Sequence, residues 1–169
     1  QNAFDRVTQG IDIVGTYNFE SEYGDTTITA SMNFADQNFN SDPKVYFNNE
    51  AIYDFLNGTP ATRGVLSVKH AMDDMSFTAR MNYFGGYSNS EGSNQVSAIQ
   101  IFEPEVMFDL EGTYFISEML SVSAGARNLF DNYPDAGEIG ESCCGRIYRS
   151  DSIVDWQGGY YYMRLNMSF

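Results

Sequence analysis

The stretch GGYYYMRLNMSF, residues 158–169, decides how the rest of the sequence is read. Tyr161, Met163, Leu165, Met167 and Phe169 take alternate positions in it, with Tyr160, Tyr162, Arg164, Asn166 and Ser168 between them. Successive side chains of a β-strand point to opposite faces, so this spacing predicts a strand with one apolar and one polar face.

The same alternation recurs six times upstream. Between Thr8 and Glu20, Ile11, Ile13, Tyr17 and Phe19 oppose Asp12, Thr16 and Asn18; between Thr26 and Phe34, Ile28, Ala30, Met32 and Phe34 oppose Thr27, Thr29, Ser31 and Asn33. Over Arg63–His70, Leu66 and Val68 oppose Arg63, Ser67 and Lys69, and then Met75, Phe77, Ala79, Met81 and Tyr83 oppose Ser76, Thr78, Arg80 and Asn82. Val106, Phe108, Leu110 and Tyr114 oppose Glu105, Asp109, Glu111 and Thr113, and Leu120, Val122, Ala124 and Ala126 oppose Ser121, Ser123 and Arg127. The apolar residues set these phases, so the charges test them. Asp12, Glu20, Arg63, Lys69, Arg80, Glu105, Asp109, Glu111, Arg127 and Arg164 all fall on the polar phase and none on the apolar one.

A soluble β-sandwich would alternate in the same way, with its apolar face turned inward. Two features favour a membrane instead. Several runs reach the ~9–11 residues of a tilted membrane strand, against roughly five or six in globular sheets. The connections also alternate between short (near Ser21–Asp25, Ala71–Asp74 and Ser117–Glu118) and long (Ala35–Thr62, Gly85–Pro104 and Leu129–Gly158). Bacterial outer-membrane barrels have short periplasmic turns and long extracellular loops. That rhythm places the C-terminus in the periplasm and residues 129–158 outside the cell.

Composition nearly conceals this. Hydrophobic residues make up 43% of the 169, and the chain carries 12 Tyr and 13 Phe against one Trp. No run approaches the ~20 apolar residues of a membrane helix. With nine Lys and Arg against 23 Asp and Glu, a net charge of −14 argues against nucleic acid as a partner. Gln1 opens the chain without the basic and apolar regions of a signal peptide.

Ala124-Gly-Ala-Arg-Asn-Leu-Phe-Asp131, followed by Tyr133-Pro134, resembles the motif that ends the penultimate strand of TonB-dependent outer-membrane receptors. Residues 159–169 resemble the last strand of that family, and the hairpin over Arg63–Phe84 its late hairpins. The family barrel has 22 strands around an N-terminal plug domain. The resemblance therefore implies an all-β, antiparallel up-and-down barrel segment of about seven strands, with residues 1–169 the C-terminal portion and the plug and its TonB box outside this chain. It further implies energised uptake of a nutrient across the outer membrane of a Gram-negative bacterium, with iron–siderophore complexes, cobalamin and oligosaccharides as cargo classes. Implied partners are the TonB complex through the plug, the barrel-assembly machinery, outer-membrane lipid and lipopolysaccharide, and a surface lipoprotein. The alternative is a complete eight-stranded barrel with a structural or adhesive role, which would need one more strand in Lys44–Leu56 or Asn94–Phe102.

Arg80, Asp109, Glu111, Arg127 and Arg164 are expected to project into the barrel lumen, either onto plug or substrate or, the more ordinary role, into a ladder of ion pairs along the wall. Asn128-Leu129-Phe130-Asp131 is expected to end a strand and open a loop, with the Asp131 carboxylate on amides two residues on. Tyr161, Met163, Leu165, Met167 and Phe169 form the C-terminal signal that the resemblance assigns to barrel assembly. The long connections hold Asp36, Asp42, Glu50, Asp54, Glu91, Glu103, Asp135, Glu138, Glu141, Asp151 and Asp155, a rim that could take Ca²⁺ or cationic ligands although EF-hand spacing is absent. Tyr46, Phe47, Tyr53, Phe55, Tyr87, Tyr133 and Tyr148 could stack on ligands or pack the loops. Adjacent Cys143 and Cys144 fit no zinc or redox spacing and suit a structural disulfide. His70 is the only histidine, and no nucleophile–base pair or phosphate-binding loop is present, so an enzyme is not expected.

Overall fold

The computed structural model describes residues 4–90, 98–137, 147–149 and 152–168. Seven antiparallel strands form one sheet in sequence order: β1 (Arg6–Ser21), β2 (Gly24–Phe39), β3 (Thr62–Ala71), β4 (Met75–Phe84), β7 (Glu105–Ser117), β8 (Leu120–Arg127) and β9 (Tyr160–Met167). Two short strands, β5 (Tyr87–Ser90) and β6 (Ile99–Phe102), pair as a separate hairpin. A helix α1 (Asn49–Asn57) lies in the first long connection.

The register carries the alternation across the sheet. Tyr17 pairs with Ile28, Ile28 with Val68, Val68 with Ala79, Ala79 with Leu110, Leu110 with Ala126 and Ala126 with Tyr161. Directly opposed residues of an antiparallel pair point to the same face, so these seven form one apolar row. Thr16, Thr29, Ser67, Arg80 and Asp109 form a polar row on the other face in the same way. A one-residue slip in any strand would have moved its charges to the apolar side.

No second layer covers that apolar face among the described residues. Ala126 is the sheet's only buried hydrophobic residue there, whereas Met163 is 78% exposed and Leu110 44%. The sandwich reading required an inward-packed core, and the sheet has none. Three tight turns close one end, and there the Nε2 of His70 donates to the Tyr23 carbonyl at 3.1 Å while its Nδ1 meets the Thr26 hydroxyl at 2.8 Å.

Neither stretch considered for an eighth strand joins the sheet. In Lys44–Leu56 the Asn48 side chain caps α1 by accepting from the Ala51 amide at 2.7 Å, which commits that stretch to a helix. Within Asn94–Phe102, Ile99–Phe102 pairs with Tyr87–Ser90 and residues 94–97 lie outside the described part. The first long connection is also shorter than expected. β2 continues through Ala35–Phe39 because β1 begins early enough to pair with it, from Arg6↔Phe39 to Gly10↔Ala35.

Candidate functional site

The polar face ends, towards the long connections, in an open recess of about 720 Å³. Asp109 of β7, Arg127 of β8 and Tyr160, Tyr162 and Arg164 of β9 form its wall, and Asp155, Gln157 and Gly158 of the last connection form its rim. Three of the five charged residues singled out in the sequence thus meet in one place.

The carboxylates are already engaged. Asp109 accepts from the Asn128 amide at 3.0 Å through Oδ1 and from Asn82 Nδ2 at 3.0 Å through Oδ2. Glu111 accepts from the Tyr162 hydroxyl at 2.6 Å and lies 3.8 Å from an Arg164 nitrogen. This reach depends on Gly125, which sits between Glu111 and Tyr162 in the register: a Cβ there would lie 2.6 Å from the Tyr162 hydroxyl. The Arg164 guanidinium lies 5.5 Å from the centroid of the same ring, within cation–π range. Arg80 and Arg127 face the same side without a hydrogen bond or ion pair to another described residue. Among the described residues this face holds one ion pair, and Arg63, Arg80 and Arg127 have none to another described residue.

Beside the recess, Asn128-Leu129-Phe130-Asp131 acts as a clamp. Asn128 and Asp131 adopt φ of 49° and 58°, the left-handed region that Asn and Asp tolerate best among side-chain-bearing residues. The Asn128 side chain bridges one residue at both ends, donating to the Asn132 carbonyl at 2.7 Å and accepting from its amide at 3.0 Å. Asn132 Nδ2 in turn donates to the Val106 carbonyl at 3.0 Å. The Asp131 carboxylate takes the amide of Gly159 at 2.7 Å, 28 residues on, not a local amide as expected. Gly158, at φ +75°, must remain glycine: a Cβ there would stand 2.5 Å from the Asp131 carboxylate and 2.6 Å from the Tyr133 hydroxyl. The Tyr161 hydroxyl donates to the Leu129 carbonyl at 3.2 Å, and Phe130 packs edge-on to Phe108 with centroids 5.4 Å apart. The motif ends a strand, as expected, and also fixes the start of the last one.

Tyr133 belongs to this latch. The neighbouring Asp131, by hydrogen bond and then by charge, raises the Tyr133 phenol above its ordinary pKa of 10.0. A raised folded value means that the contribution is fully present below the unfolded pKa of about 10 and is lost as pH rises through the folded one. Thermal unfolding of the wild type should therefore lose this contribution only above about pH 10, and Tyr133→Phe should abolish that part of the alkaline fall. An identical alkaline profile in the two proteins would refute the contact.

The loop aromatics mostly pack on one another. Phe47 and Phe55 join Phe4 and Phe39 in a cluster with centroids 4.6–6.3 Å apart. Tyr87 stacks on Phe102 at 4.5 Å and Tyr133 on Tyr148 at 5.9 Å, while Tyr46 stays exposed. The loop carboxylates disperse as turn and seam acceptors: Asp42 takes the Lys44 amide, Asp155 the Gln157 amide and Asp54 the Ser90 amide. Among the described residues no three His, Cys, Asp or Glu side chains gather as a metal site. Cys143, Cys144, Glu91, Glu138, Glu141, Asp151 and Phe169 lie outside the described residues. Sequence reading missed Asn82, Tyr162 and Gln157 as site residues; the first two were visible only as members of the polar phase.

The chain resembles the ferric enterobactin receptor of Pseudomonas aeruginosa, solved in complex with enterobactin, with a TM-score of 0.65 at 19% identity over 97% of this chain. The sheet has the fold of a section of an antiparallel up-and-down β-barrel. Two other structures of that receptor match 92% of the chain, with TM-scores of 0.58 and 0.55 at 20% identity. The chain spans 23% of the receptor's length in the first match and 22% in the other two. No protein-family model and no curated protein sequence matches it.

Proposed function

We propose that this chain is the C-terminal wall of a TonB-dependent transporter in a bacterial outer membrane, a transport protein and not an enzyme. One observation carries the reading: the register gathers the strand charges, Asp36 near the end of β2 excepted, on one face and leaves the other an uncovered apolar surface. Removing such a surface from water is the main driving force available to it, and lipid does so without a second protein layer. From Ile11 to Phe19 the apolar phase of β1 covers nine residues, within the ~9–11 of a tilted membrane strand. The polar face then lines the lumen and the recess lies near its outer mouth, with the long connections outside the cell and the C-terminus in the periplasm. Arg80 and Arg127 are available there to a plug domain or to cargo. Tyr161, Met163, Leu165 and Met167, exposed on the apolar face, suit recognition by the barrel-assembly machinery.

The likeness to an enterobactin receptor puts a ferric siderophore first among the cargo classes to test, ahead of cobalamin and oligosaccharides. Uptake of labelled ferric siderophore, cobalamin and oligosaccharide would be compared in wild-type and deletion strains, with and without a protonophore. Loss of one uptake on deletion, and equally on collapse of the proton-motive force, is expected. Uptake that depends on the protein but persists with the force collapsed would overturn the energised mechanism.

A further inference from the structure

The sequence holds a single Asn-Gly pair, Asn57-Gly58, a dipeptide that commonly turns a β-hairpin. Here it ends α1 instead. Gly58 has a φ of −75°, outside the left-handed region, so the backbone conformation does not call for glycine. Space does. A Cβ on Gly58 would collide with the Asp54 carbonyl oxygen and stand 2.5 Å from the side-chain amide of Asn89 in β5. Asn89 is only 2% exposed and has no room to retreat. Docking of α1 on β5 therefore demands a glycine directly after an exposed asparagine.

That pair is chemically labile. With no Cβ to shield it, the Gly58 backbone nitrogen can attack the side-chain carbonyl carbon of Asn57. A C–N bond forms, the Cγ–Nδ2 bond breaks, and the Gly58 proton leaves with the departing ammonia, closing a five-membered succinimide. Water then opens the ring at either carbonyl to give aspartate or isoaspartate. The last turn of α1 opposes the first step twice: the Gly58 amide donates to the Asp54 carbonyl at 2.7 Å, and Asn57 Nδ2 to the Tyr53 carbonyl at 2.9 Å. A nine-residue helix is marginal by itself in water, however. What ties α1 to β5 is the Asp54 carboxylate, which accepts from the Ser90 amide at 2.6 Å, and the hydroxyls of Tyr53 and Ser88, which meet at 2.9 Å.

We propose that Asn57 is a site of self-modification controlled by the docking of α1 on β5. While α1 is docked, its last turn is closed and the pair persists. When α1 opens, the succinimide forms and the change runs one way. The product docks less well for two reasons. A carboxylate replaces the Nδ2 donor at the negative end of the helix dipole. Isoaspartate also adds a methylene to the backbone immediately before the close contact at Gly58.

Peptide mass spectrometry with isoaspartate detection, on the full-length protein aged in lipid nanodiscs at alkaline pH, tests this. Folded wild type is expected to convert slowly, and the same chain in urea quickly. Asp54→Ala leaves both hydrogen bonds of the last turn in place and removes only the carboxylate from Ser90. It is expected to raise conversion about tenfold, the effect of one charge-assisted hydrogen bond. Tyr53→Phe removes the other tie and carries the test if Asp54→Ala loosens the wall, which amide exchange in β3 and β4 reports. In the converted protein the Gly58 amide should exchange faster than in the unmodified one. Folded wild type converting as fast as the chain in urea would show that the helix end protects nothing. Conversion at the wild-type rate in the well-folded variants would show that docking is not the control. Either result overturns the proposal.

Discussion

Replacing Leu110 with Arg is expected to destabilise the protein in a lipid bilayer by about 2–4 kcal/mol, the penalty for a cation at the midplane of a barrel's outer face. Leu110 lies between Ala79 and Ala126 in the central apolar row, and neither residue opposite it is charged to pair with the new guanidinium. The matching control is Thr29→Arg. Thr29 sits on the polar face opposite Thr16 and Ser67, with only a 3.5 Å hydroxyl contact to Thr16 to lose. It should stay within about 0.5 kcal/mol of wild type, as surface substitutions usually do. A soluble partner covering the apolar face would also resist an Arg at Leu110, so depth is the discriminating variable. Arg at Tyr114, four residues along β7 towards the tight turns, should cost only about 0–1 kcal/mol for its charge if lipid is the solvent. Reversible denaturant unfolding in phospholipid vesicles measures all three. Equal costs at Leu110 and Tyr114 would remove lipid from the account, and equal costs at Leu110 and Thr29 would remove the distinction between faces.

The contrast between those two faces was readable in the sequence because alternation reports which side of a strand meets water, and every wall strand has two different sides. Where both sides meet water the signal disappears. Asp36, Gln37 and Asn38 gave no alternation and were read as loop, yet they continue β2, since Gln9, Thr8 and Val7 of β1 supply their backbone partners. The β5–β6 hairpin was invisible for the opposite reason. Its Ser88, Asn89 and Ser90 look like loop residues, yet Asn89 and Ser90 are buried and Tyr53 and Asp54 of the first connection hold Ser88 and Ser90, a tertiary fact with no local trace. Helix α1 did leave one, in Asn48 followed three residues later by Ala51 and in the spacing of Ile52, Phe55 and Leu56, but a short apolar run does not separate helix from strand. The site was legible to the same depth. Phase put Asp109, Arg127 and Arg164 on one face, whereas the recess they share exists because the last connection returns over them.

That return depends on Asn128, whose replacement should be costly for two separable reasons. Asn128→Ala removes both hydrogen bonds to Asn132 at a position only 5% exposed, leaving that residue's amide and carbonyl without their side-chain partner. Asn132 is half-buried, so each orphaned group costs about 1 kcal/mol, the low end of the range for a lost partner. Alanine must also hold a φ of 49°, a left-handed conformation that costs a Cβ-bearing residue roughly 1 kcal/mol more than it costs glycine. Asn128→Ala should therefore lose about 3 kcal/mol in the full-length protein, and Asn128→Gly about 1 kcal/mol less, since glycine gives up the hydrogen bonds but not the backbone geometry. Denaturant unfolding ranks the two variants, and exchange of the Gly159 amide reports whether the clamp on β9 has opened. If alanine and glycine prove equal, the left-handed turn is not a source of the motif's requirement for Asn. If both are near wild type, the first turn of the last connection is held by Asp131 and Tyr161 alone. The wall of the recess would then owe its position to the far end of the motif, where one carboxylate holds the start of the final strand.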